Sequence, residues 1–233
     1  MIPLDLRRSI QEPAWPGLQI YTRFASLDRY RDLLDEYVPL MHDQALVRWH
    51  AEATRKAPPS NQAEWQEVVS DLEVRLKHDI SSNFLSAYLI PLSAALESSL
   101  AALCGYVQRR ESLSVRATDL REQATVKRAL QYLELAMRRT VPVPDSTRSA
   151  LRDLQNVRNA FAHSNGRLDE LQPQRKQELE ALAASSQGIT FWDGHVLVES
   201  TFLARCTEAA EDLVSRLIEL VSNTYKGPAD SAP

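Results

Sequence analysis

Glycine occurs only six times in 233 residues, as Gly17, Gly105, Gly166, Gly188, Gly194 and Gly227, and never beside another glycine. Ordinary proteins use roughly 7% glycine, because it takes positive φ without steric cost. A chain this poor in glycine has few such positions, so folds made of many tight turns are disfavoured, as are phosphate loops that need clustered glycines. Helices need neither. With 44% hydrophobic and 25% charged residues, the rest of the composition is that of a soluble globular protein. The expectation is an all-α fold.

Apolar spacing supports it. Leu27, Tyr30, Leu33, Leu34 and Tyr37 recur at three and four, and Pro39 is expected to separate them from a second helical run over 40–55. Asn61 suits an N-cap for a pattern that continues to about 106 through Val68, Val69, Leu72, Leu76 and Ile80. Unbroken, that helix would be about 70 Å long, so a break or kink is expected near 81–83 or at Pro91. Further helices are expected over about 120–139, 147–163 (capped by Ser146), 174–184 and 201–221. Ile189 and Phe191 alternate toward Asp193-Gly194, then Val196 and Val198, the pattern of a two-residue hairpin. The organisation expected is an arm with a helical extension over 1–59, a helical domain over 60–225 and a disordered tail over 226–233.

The formal charge of −4 argues against coating nucleic acid or anionic membrane by bulk charge. It is unevenly spread. Residues 105–176 hold fourteen Lys/Arg against eight Asp/Glu, a local +6, which leaves −10 for the remainder. Cys104 and Cys206 lie far apart in apolar helical contexts without metal or disulfide-scaffold spacing, as in a reduced cytoplasmic protein. The N-terminus lacks the apolar core of a secretory signal. Residues 84–103 are apolar but contain Pro91 and Glu97, and a carboxylate at mid-bilayer costs about 2.5–3.5 kcal/mol, so no membrane span is expected. His42, His50, His78 and His195 have no ligand partners at metal spacing, and neither a metal nor a cofactor is expected. The four tryptophans read as packing residues, Trp192 beside the hairpin turn being the one to test for base stacking.

Chemical information concentrates in Arg158-Asn159-Ala160-Phe161-Ala162-His163. Leu154, Val157 and Phe161 share one helical face and form the expected buried stripe. Asn159 and His163 fall about 160° and about 200° around the helix from Phe161, and Arg152 and Asn156 join them there. Arg158 lies beside the core stripe and has to reach round, or be engaged by a neighbour, to meet His163. Gly166 is placed to take a left-handed conformation just past the helix end. An imidazole in the last turn, an arginine able to grip a phosphate with two N–H groups and a neighbouring amide are the groups that acid or base work on an RNA 2′-hydroxyl requires. Glu97, which interrupts an apolar helix, has to be paired, hydrogen-bonded or at an interface. With Arg152 and Asn156 it is read as a supporting residue.

Arg158-Asn159-x-x-x-His163 at a helix end, followed by Ser164-Asn165-Gly166, resembles the R-x4-6-H signature of the HEPN superfamily. The polar residue after the arginine is the form common in its ribonuclease members. An apolar helix bearing 94–100 and a basic helix around 127–132 precede the motif, and the resemblance covers about 70–222. It implies a helical bundle, here with one short β-hairpin before the C-terminal helix, that dimerises so that two motifs line one cleft. The activity implied is metal-independent endoribonuclease cleavage leaving a 2′,3′-cyclic phosphate, with Arg158, Asn159 and His163 as the catalytic set. Many such proteins are toxins or phage-defence effectors, which makes an antitoxin or defence-system protein a further partner class beside RNA. Others have lost cleavage, and the alternative implied is a non-catalytic interaction or nucleotide-binding module.

Overall fold

The computed structural model describes residues 2, 12, 14–56, 62–122, 124–185 and 188–225. Over these the protein is predominantly helical, with a two-stranded hairpin directly before the last helix. The helices are α1 (Gly17–Lys56), α2 (Gln62–Arg110), α3 (Thr125–Met137), α4 (Asp145–Ser164), α5 (Pro173–Ser185) and α6 (Ser200–Thr224), with β1 (Ile189–Trp192) and β2 (His195–Val198) between α5 and α6. Asn61, the expected boundary at 59/60 and the tail at 226–233 lie outside the described residues.

Neither proline breaks its helix: α1 runs through Pro39 and α2 runs for 49 residues through Pro91. A proline inside a helix removes one hydrogen bond and costs about 3 kcal/mol. Around Pro91 that cost is offset by Tyr88, Leu89 and Leu92, all fully buried, each such side chain contributing about 1.5–3 kcal/mol. Around Pro39 the balance is local. Leu34 and Val38 are buried before it, and beyond it His50 Nε2 lies 3.0 Å from Glu73 Oε1 on α2.

A continuous α2 is too long for a single compact core, but the chain forms two compact units, each discontinuous in sequence. The first comprises Met1–Leu27, Pro91–Gln155 and Arg205–Pro233, and the second Asp28–Ile90 and Asn156–Ala204. Leu92, Leu96, Leu100, Leu103 and Val107 recur at three and four along α2 and are buried in the first unit. Leu85, Tyr88 and Leu89 of the same helix are buried in the second. One helix thus supplies two cores in succession. By length and composition α2 also passes as a membrane span, but 56% of its most apolar window is buried within the protein, as in a core helix.

The hairpin follows the sequence pattern. Trp192 pairs with His195 and Ile189 with Val198, while Asp193 (φ 46°) and Gly194 (φ 75°) form the turn. Two positive φ values in a two-residue loop match the twist of the flanking strands. Two helix starts differ from expectation. In place of a helix from about 120, a 3-10 turn at Ala117–Asp119 precedes α3. Helix α4 begins before Ser146, with Arg148 N–H donating to the Pro144 carbonyl at 3.0 Å, because a proline carbonyl accepts the first helical bond as well as any other.

Candidate functional site

The C-terminal half of α4 has two chemically different sides. Val157 and Ala160 are buried, and so is Ser164, whose hydroxyl donates to the Ala160 carbonyl at 2.7 Å. Phe161, expected in this stripe, is only half-buried; the buried face is centred nearer Val157 and Ala160. The phenyl ring lies against Gly166 instead, where a Cβ would stand 2.7 Å from Phe161 Cε1.

Past Ser164 the backbone turns through two left-handed residues, Asn165 (φ 49°) and Gly166 (φ 77°). The reversed chain is pinned to the hairpin: Leu168 N–H donates to the Gly194 carbonyl at 2.8 Å, and Val196 N–H to the Gly166 carbonyl at 2.9 Å. Helix α5 then starts at Pro173 and buries Leu179 and Leu182. This return path leaves a cleft of about 380 Å³ with Asn156, Asn159 and His163 of α4 on one side and Gln172, Arg175 and Glu178 on the other. All of its lining residues belong to the second unit.

The sequence therefore grouped Asn156, Asn159 and His163 on one face, and the structure opens that face to a cleft. Arg158 does not line it. Its Nη1 donates to Asn159 Oδ1 at 3.0 Å, and its Nε is buried without a hydrogen-bond partner among the described residues. The neighbour engaging Arg158 is thus the adjacent amide. With Oδ1 accepting from Arg158, the Asn159 NH2 group is the part of the amide left to donate. Arg152 is exposed and bonded through Nη2 to Ser149 Oγ at 3.4 Å, and Glu97 is half-buried on α2; neither lines the cleft.

The wall supplied by α5 was missed in the sequence. Arg175 and Glu178 form an i,i+3 pair at 2.8 Å, and Glu170, also lining the cleft, is 3.2 Å from Arg167 Nε. The i,i+3 spacing was readable, but nothing in the pattern of α5 said what it faces. Among the described residues no three His, Cys, Asp or Glu side chains converge.

Trp192 is not a free stacking platform. His78 stacks on it at 5.5 Å between ring centres, the Arg75 guanidinium lies 5.8 Å from the ring centre, and Arg75 is 3.9 Å from Asp193. These contacts fasten the hairpin to α2. Cys104 and Cys206 are buried free thiols pushed up to about 12 by burial, which removes them from thiolate chemistry near neutral pH. Comparison with family models, curated proteins and solved structures finds no match to this chain.

Proposed function

We propose that the protein is a metal-independent endoribonuclease of the HEPN type that acts as a homodimer, with the α4 ends of two copies contributing to one RNA-cleaving site. The observation that supports this reading is the cleft onto which Asn156, Asn159 and His163 open together at the end of α4. In the reaction His163 takes the proton from an RNA 2′-hydroxyl as the 2′-oxygen attacks the adjacent phosphorus. The P–O5′ bond breaks, an imidazolium returns a proton to the departing 5′-oxygen, and the products are a 2′,3′-cyclic phosphate and a 5′-hydroxyl. Asn159 Nδ2 donates to a phosphate oxygen whose charge grows in the transition state. Arg158 holds the amide in that orientation through its bond to Oδ1 and is a positioning residue in this arrangement. A role as toxin or defence effector belongs to the same reading.

Incubation of the purified protein with RNA in EDTA should give cleavage, with His163→Ala abolishing it and Arg158→Ala lowering it strongly. Cleavage that persists in His163→Ala, or that requires a divalent cation, overturns the mechanism. A second reading, a non-catalytic binding module, is favoured by the absence of Arg158 from the cleft lining. It requires RNA or nucleotide binding with no cleavage under any of these conditions.

A further inference from the structure

We infer that Arg175 is the phosphate-binding residue of the α4 cleft, held by Glu178 until an RNA phosphodiester takes the carboxylate's place. The identity of the anion rests on the endoribonuclease reading; the assignment of the residue rests on the cleft. Cleavage of a phosphodiester concentrates negative charge on the non-bridging oxygens, and a neutral amide and one imidazole leave that charge incompletely matched. Arg158 is engaged through Nη1 by Asn159 and does not line the cleft. Arg175 is the one Lys or Arg side chain among the residues that line it.

The arrangement suits exchange of one anion for another. Both carboxylates of the cleft already have an arginine: Glu170 has Arg167 at 3.2 Å, and Glu178 has Arg175 at 2.8 Å. The Arg175 and Glu178 side chains are 55% and 36% exposed, so their pair is wet and weak. A phosphate arriving at the guanidinium can set two of its oxygens against two parallel N–H donors, whereas Glu178 takes only the Nη1 donor through one oxygen. Asn159 and His163 line the same cleft and offer a phosphate polar partners that Glu178 does not supply. Glu178 then serves as a stand-in anion that keeps the arginine extended over the cleft and raises the threshold for stray anions.

Binding of a fluorescent 2′-O-methyl RNA oligonucleotide to the full-length protein, at fixed ionic strength, separates binding from cleavage because this RNA lacks the attacking hydroxyl. Arg175→Ala is expected to weaken binding about tenfold, Arg175→Lys to weaken it less, and E178Q to tighten it about threefold by removing the competitor. The melting temperature of each variant, unchanged for exposed side chains, excludes misfolding as the cause. Equal affinity in Arg175→Ala and the parent, or weaker binding in E178Q, overturns the assignment. If RNA is still cleaved in that case, the nuclease reading stands without Arg175. If the parent cleaves no RNA but loses oligonucleotide binding in Arg175→Ala, Arg175 is the phosphate ligand of a binding module and the nuclease reading fails.

Discussion

Two stretches of α4 carry polar side chains, and their surroundings differ. In the first, Thr147 Oγ1 donates to Asp212 Oδ2 at 2.9 Å, and Asp153, 7% exposed, meets Arg205 Nη1 at 3.1 Å. Both of these polar groups are closed by a partner on α6. In the second, Asn156 and His163 have no side-chain hydrogen bond among the described residues and open onto a cleft. A polar group that is buried and paired is part of what holds the structure together. One left open in a concavity is available to a ligand. The contrast gives the two stretches separable roles, and substitutions should separate stability from activity along one helix.

The largest expected effect is on the open stretch. His163→Ala should lower RNA cleavage about a thousandfold, within the usual range for a general acid or base, and leave the thermal midpoint where it was. A matching loss of thermal stability would show that the two stretches share one role. The closed stretch should give the reverse pattern. Asp153→Ala removes the carboxylate that meets the half-buried Arg205 cation and should cost about 2 kcal/mol in urea unfolding, less than a fully buried pair because Arg205 remains 38% exposed. Burial raises the Asp153 carboxyl above the ordinary carboxylate range even though Arg205 opposes the shift. At 3.1 Å the ion pair would be expected to win; with the side chain 10% exposed, desolvation outweighs it.

Next in size is the turn that ends the open stretch. Gly166→Ala places a Cβ at φ 77° and against the Phe161 ring, so it should cost about 1–2 kcal/mol and reduce cleavage as the return path to α5 shifts. An unchanged midpoint would mean that the turn relaxes freely.

The smallest effect concerns pH. Asp212 is held below the usual carboxylate range, chiefly by the hydrogen bond from Arg216 and further by that from Thr147. A depressed carboxyl adds stability that is complete above its unfolded value and is lost as pH falls through the folded one. The difference in unfolding free energy between the parent and Asp212→Asn, about 1 kcal/mol near neutrality, should shrink below about pH 4. A gap that stays constant down to pH 2 would remove the ionised carboxylate as its cause.

The local features were legible where one residue type decides the backbone. Asp193-Gly194 specified the hairpin turn and Gly166 the end of α4, since few other residues take positive φ readily. Helical periodicity likewise grouped Asn156, Asn159 and His163. Where tertiary packing decides, the sequence was insufficient: Pro39 and Pro91 look like stops until the burial around them is known. The α5 wall of the cleft depended on where the chain returns after Gly166, a three-dimensional fact with no one-dimensional mark. Periodicity puts Arg158 beside the core stripe, but its bond to the adjacent Asn159 needs side-chain geometry.

The order in which the chain supplies the two cores has a consequence for synthesis. Ile20 and Phe24, near the start, share the first unit with Leu213 and Leu217 near the end, while Asp28–Ile90 and Asn156–Ala204 make up the other. A nascent chain emerging from the ribosome cannot close the first core until α6 has been released, so Ile20, Phe24 and the apolar stripe of α2 wait in an incomplete environment. Truncation within α6 should then leave no folded N-terminal product, and the growing chain should depend on protection of α2 more than a protein built from consecutive domains would.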